Sequence, residues 1–263
     1  MDKYFSYQNK NIYYRIMGKG KPVILIHGFG EDGEVWNNQV EFLKEKFLLI
    51  IPDLPGSGKS EMIDDMSMEG MAEVIHSIIQ EEKIETCCTI GHSMGGYILL
   101  AFLEKYPKYL NAFGLLHSTS YADSEEKKIN RRKGIDFINE HGAFEFLQTS
   151  TPNLFSAKTK NERPKMVEEF ISSLRNFSAA ALVSYYNAMI LRPDRTIFLK
   201  KSTVPVLFIL GEEDVAVPLQ DGLEQCHLPE KSYIHILSQS GHMGMLEEAE
   251  KCNRAIEDFL LDI

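Results

Sequence analysis

The chain has 263 residues, 44% hydrophobic and 25% charged, which suffices for one large globular domain or a core with a modest insert. That composition excludes collagen-like, disulfide-framework and wholly disordered chains. Lys plus Arg number 28 against 38 Asp plus Glu, a net charge of -10, so the totals give no electrostatic support to a nucleic-acid or anionic-membrane surface.

Residues 4–7 and 11–17 read as a hairpin at the antiparallel edge of a sheet. The opening Met1-Asp2-Lys3-Tyr4-Phe5-Ser6-Tyr7-Gln8 lacks the apolar core of a signal peptide, and no stretch is apolar enough for a membrane span. Val23-Ile24-Leu25-Ile26 is then a continuous apolar run ending in His27-Gly28-Phe29-Gly30. Phe47-Leu48-Leu49-Ile50-Ile51 ends in Pro52-Asp53-Leu54-Pro55-Gly56, and Thr86-Cys87-Cys88-Thr89-Ile90 ends in Gly91-His92-Ser93. Runs without polar alternation suit a parallel sheet covered on both faces, which is an α/β fold. Between them, 35–44 and 68–82 are predicted helices, the second capped by Ser67 and striped by Met71, Val74, Ile75, Ile78 and Ile79. A helix runs from Ser93 toward Tyr106 and stops near Pro107, and Ala112-Phe113-Gly114-Leu115-Leu116 is another buried strand.

The rhythm changes after His117. Residues 123–200 contain no core strand, and helices are expected at 125–141, 165–177 and 179–189. We read 119–200 as a helical cap inserted into a core formed by 1–118 and 201–263, leaving and returning to the sheet where connections carry functional loops. Strands resume with Pro205-Val206-Leu207-Phe208-Ile209-Leu210-Gly211 and Ser232-Tyr233-Ile234-His235-Ile236-Leu237, and a helix over 245–261 closes the chain. The four cysteines, Cys87, Cys88, Cys226 and Cys252, form neither a CxxC pair nor a metal-ligand spacing; buried free thiols in a cytoplasmic enzyme are expected.

Gly91-His92-Ser93-Met94-Gly95 is a G-x-S-x-G sequence between a predicted strand and a predicted helix. A serine at such a turn is pushed out above the sheet, and the flanking glycines remove Cβ atoms that would clash as the chain reverses. Serine needs a base held in the right tautomer. His242 follows the last predicted strand and Asp214 the one before it, so Ser93, Asp214 and His242 can converge at one sheet edge. Asp123 is the rival acid. Acyl transfer also needs two fixed donors for the oxyanion; the backbone N–H groups of Phe29 and Met94 are the candidates. Gly56-Ser57-Gly58-Lys59-Ser60 is not a phosphate loop, because Asp53 stands where the first glycine belongs. No dinucleotide fingerprint is present, and neither an organic cofactor nor a metal is expected.

Taken together, His27-Gly28-Phe29-Gly30 with Trp36, Asp53-Leu54-Pro55-Gly56-Ser57-Gly58-Lys59-Ser60, Gly91-His92-Ser93-Met94-Gly95-Gly96, Gly211-Glu212-Glu213-Asp214 and Gly241-His242 resemble the α/β-hydrolase superfamily, in particular its small capped members. The resemblance spans nearly the whole chain. It implies a mostly parallel eight-stranded sheet flanked by helices with a helical cap after the sixth strand. It also implies Ser93 as nucleophile, Asp214 as acid, His242 as base, and Phe29 and Met94 as oxyanion donors. Serine at position 93 disfavours the haloalkane dehalogenase and epoxide hydrolase branches, whose nucleophile is a carboxylate. What remains is a carboxylesterase-like serine hydrolase acting on a small-molecule ester or thioester, or a carbon-carbon bond hydrolase or lyase of the same fold. A noncatalytic ligand-binding protein is the third reading.

Overall fold

In the computed structural model, which describes residues 1–263, eight strands form a single sheet. They are β1 (Asp2–Tyr7), β2 (Lys10–Gly18), β3 (Lys21–Ile26), β4 (Phe47–Pro52), β5 (Cys87–His92), β6 (Leu110–Leu116), β7 (Val206–Gly211) and β8 (Ser232–Leu237), in the order β1-β2-β4-β3-β5-β6-β7-β8. β1 pairs antiparallel with β2 and β2 antiparallel with β4, and every other pairing is parallel. The hairpin turns on two residues, Gln8 and Asn9, with φ of 49° and 64°; two left-handed residues match the natural twist of paired strands.

The alternation of side chains explains the two-sided burial. Ile24 and Ile26 enter one apolar cluster with α2 (Met68–Glu81) and α3 (Met94–Lys105), while Val23 and Leu25 enter a second with α1 (Asn37–Leu43). Between β6 and β7 lies a wholly helical insertion: α4 (Glu125–His141), α5 (Ala143–Ser150), α6 (Ala157–Glu162), α7 (Pro164–Ser173), α8 (Ala179–Leu191) and α9 (Thr196–Lys200). α10 (Leu219–Gln225) separates β7 from β8. The chain closes with α11 (Gly244–Glu247) and α12 (Ala249–Asp262).

Three predicted helices are divided. The segment 35–44 is a 3-10 turn, Gly33–Trp36, followed by α1, because the Asp32 side chain accepts the Glu34 amide and tightens the first turn. Residues 165–177 are α7, opened by Pro164 where no amide is needed, and a 3-10 turn, Leu174–Asn176. The closing helix breaks at Glu248, which has φ -123° and ψ 52°. Its carboxylate is turned back onto Gln239 N and Ser240 Oγ, 2.8 and 2.9 Å away.

Candidate active site

β5 ends at His92 and α3 begins at Met94, so the whole reversal falls on Ser93, with φ 49° and ψ -116°. A non-glycine residue with positive φ is uncommon and persists only where its surroundings fix it. Here Ser93 N donates to Leu116 O at 3.0 Å and Ser118 Oγ donates to Ser93 O at 2.8 Å. The close approach also requires glycine: a Cβ on Gly91 would strike the backbone of Gly95, and one on Gly95 would strike the carbonyls of Ile26 and His27.

Asp214 and His242 come from the loops after β7 and β8. His242 Nδ1 donates to Asp214 Oδ2 at 2.8 Å, which leaves Nε2 with its lone pair free. The other carboxylate oxygen, Oδ1, accepts the amides of Ala216 and Val217, both at 2.9 Å. Burial disfavours the Asp214 charge, but His242 and His117 outweigh it and hold the carboxyl far below its usual range. Burial likewise opposes a charged His242, yet the Asp214 charge and hydrogen bond prevail and raise its pKa. Ser93 and His242 line one cavity of about 150 Å³. No hydrogen bond joins their side chains, a looseness common before substrate tightens such a relay.

Asp123 is elsewhere engaged. Its carboxylate receives Arg131 Nε at 2.5 Å and Arg192 Nη1 at 2.8 Å, and it makes no contact with His242. The Phe29 amide, in the loop after β3, donates to no protein acceptor, and Met94 is the first residue of α3, where an amide has no intrahelical partner. Because β3 and β5 are neighbours, both donors belong to adjacent strand ends. Asp53 shapes the loop after β4 by accepting Gly33 N and Lys59 N at 2.9 and 2.8 Å, and His27 Nε2 accepts Leu54 N at 2.9 Å.

Two participants escaped the sequence reading. His117, just past β6, donates Nδ1–H to the same Asp214 oxygen at 3.1 Å, and burial lowers its pKa. Its position one residue beyond a buried strand, at the edge where Ser93 also emerges, was the available signal. Glu31 is 3% exposed; its Oε2 accepts Gly28 N at 2.7 Å and faces His92 Nδ1 at 3.0 Å. His92 Nε2 in turn lies 3.0 Å from His242 O. Burial would raise the Glu31 pKa, but His92 lowers it more. Both nitrogens of His92 face acceptors, Glu31 Oε2 on one side and His242 O on the other. A lone acid beside a glycine loop gives no sequence signal for that pairing.

From the helical insertion, Tyr186 and Met189 line the cavity over Ser93. Leu147 and Phe170 line a second cavity of about 90 Å³ that shares Phe29, Glu31, Leu154 and Tyr186. Tyr186 stacks on Phe29 with ring centroids 4.3 Å apart, so insertion and core meet directly above the glycine loop.

A serine on a strand-to-helix elbow, with a carboxylate-bound histidine delivered from the last strand of a mostly parallel sheet, defines the α/β-hydrolase class. The profile of the family described as "alpha/beta hydrolase fold" matches residues 21–249, and the chain belongs to that family. It is 26% identical over 266 residues to a 2-hydroxy-6-oxo-6-phenylhexa-2,4-dienoate hydrolase of Comamonas testosteroni, covering 95% of this chain and 91% of that protein. It is also 26% identical over 262 residues to the karrikin insensitive 2 receptor IA of Petunia hybrida, covering 92% and 91%. Among solved structures, a thermophilic esterase from Thermogutta terrifontis, malate bound, superposes with a TM-score of 0.93 at 26% identity, covering 100% of this chain and 98% of that one.

Proposed function

We propose that the protein is a serine hydrolase that cleaves a small to medium carboxylic ester or thioester through an acyl-serine intermediate. The observation that carries this reading is the 2.8 Å Asp214–His242 pair opening onto the same cavity as a Ser93 held at positive φ. In this mechanism His242 takes the Ser93 proton as Oγ attacks the carbonyl carbon, and the Phe29 and Met94 amides receive the oxyanion. His242 then protonates the leaving oxygen or sulfur. Water, deprotonated by His242, attacks the acyl-serine and releases the acid while the proton returns to Ser93. Residues 1–118 and 201–263 act as the catalytic core and 119–200 as the cap over the site. Four buried free thiols suit a cytoplasmic setting.

A second reading, carbon-carbon bond hydrolysis, draws on the dienoate hydrolase relative, and the receptor relative supports ligand binding without net turnover. All three are separated by one series. Short-chain to medium-chain p-nitrophenyl esters and acyl-thioesters are assayed with wild-type, Ser93→Ala and His242→Ala proteins, and the acyl-enzyme is sought by mass spectrometry. We expect a loss of about a thousand-fold or more in either variant, with Asp214→Asn severe and Asp123→Asn mild. Unchanged turnover in Ser93→Ala, or Asp123→Asn as the severe variant, removes these assignments.

A further inference from the structure

The cavity above Ser93 has one permanently cationic side chain in its wall, Arg131, the second-turn residue of α4. Its Nε and Nη2 form a fork with the two oxygens of Asp123 at 2.5 and 3.2 Å. Asp123 also receives Arg192 Nη1 at 2.8 Å, so two guanidinium groups share one carboxylate and one positive charge is left over. Arg192 does not present that charge: it donates to Met189 O and Tyr121 O, stacks on the Tyr97 ring at 3.8 Å, and its side chain is 3% exposed. Arg131 is 20% exposed, and its Nη1 donates to no protein atom.

We propose that Arg131 is a carboxylate subsite, so that the preferred substrates are esters or thioesters carrying a free carboxylate away from the scissile carbonyl. The proposal rests on the hydrolase reading of Ser93 and adds the charge of the substrate. A guanidinium facing a cavity walled by Tyr97, Leu154, Met189 and Val217 recognises an oxyanion far better than the same group in water, since apolar walls keep the field unscreened. The Asp123 fork fixes the guanidinium plane in advance, which removes much of the ordering cost of binding. Glu31, the other charged wall, is already compensated by His92 and the Gly28 amide and does not cancel Arg131. The net charge of -10 acts at long range, where salt screens it within about 8–10 Å; the subsite acts at contact.

The test compares mono-p-nitrophenyl glutarate and p-nitrophenyl butyrate, which place a charged and a neutral acyl arm on the same leaving group. The proteins are wild type, Arg131→Gln and Arg131→Lys. We expect wild type to favour the glutarate ester in kcat/KM by about 10–100-fold, as one charge-assisted hydrogen bond commands. Arg131→Gln should lose at least ten times more on the glutarate ester than on the butyrate ester, mainly through KM, with Arg131→Lys intermediate. Equal losses on both esters make Arg131 a clamp for the Asp123 loop and overturn the subsite, as does a wild-type preference for butyrate. If wild type hydrolyses neither ester, the ester reading has failed separately. Calorimetric titration of glutarate into the Ser93→Ala protein then decides: binding abolished by Arg131→Gln supports the subsite, and no binding overturns it.

Discussion

Asp214 is asked to do more than orient one histidine. Two imidazoles donate to its Oδ2 and two amides to its Oδ1, so its charge is divided among four partners. The raised pKa of His242 fixes a sign. The base must be neutral to accept the Ser93 proton, so kcat/KM should climb with pH through a midpoint above the ordinary imidazole value of about 6.5. His117→Leu removes a competing donor, concentrates the carboxylate charge on His242 and should move that midpoint higher; a midpoint unmoved or lower in a folded variant shows that His117 only fills space. Glu31 acts on the other half of the reaction. By holding the Gly28 amide it fixes the residue before Phe29, so Glu31→Ala should cost kcat about 10²-fold, the scale of one displaced oxyanion donor. Glu31→Gln should restore it, because an amide oxygen in the place of Oε2 still accepts Gly28 N and can accept His92 Nδ1–H. Failure of that rescue in single-turnover assays would mean that charge matters and anchoring does not. Ser93, Asp214 and His242 were readable because each follows closely on a recognisable strand. Glu31 and His117 were not, because their roles arise from neighbours 61 and 97 residues away.

At the scale of elements, the elbow between β5 and α3 is legible because its chemistry is local: an apolar run, two glycines and an apolar helix leave one conformation open. Gly95→Ala puts a methyl into the carbonyls that end β3, and a loss of about 3 kcal/mol in urea unfolding is expected. Gly142→Ala is the control: that residue has φ 93° but nothing within 4 Å of a Cβ, so its cost is conformational alone and should be smaller. α2 supplies a second local rule. Ser67 accepts Gly70 N at 3.0 Å as its N-cap, and Ser67→Ala should cost about 1 kcal/mol by the same measurement without changing kcat. The divided helices were less legible for a physical reason. Periodicity reports which face is buried and continues smoothly through Glu248, whereas the break there is made by hydrogen bonds to Gln239 and Ser240, which come from another loop.

For the whole molecule, the succession of strands along the chain, the helical insertion and its return were visible as a change of sequence rhythm, but how the insertion is fastened was not. It is bolted at both ends of the site. Tyr185 of α8 donates to Pro55 O at 2.6 Å and shares a 2.8 Å hydrogen bond with Ser57 Oγ, while His242 N donates to Leu154 O at 2.7 Å. Glu247 joins the second fastening to the histidine loop: Oε1 accepts Gly241 N at 2.8 Å and Met243 N at 3.2 Å, and Oε2 accepts Ser156 N at 2.8 Å. One buried carboxylate therefore sets the loop bearing His242 and the insertion above it together. Glu247→Ala strands three buried amides and should cost about 3 kcal/mol or more, lowering Tm, and should reduce kcat because His242 loses its frame. Glu247→Gln keeps one acceptor oxygen and should fall between. If the insertion moved as a free lid, Glu247→Ala would instead leave kcat intact and speed amide exchange only within α4 to α9, so exchange measured beside turnover separates a shared frame from an independent cap.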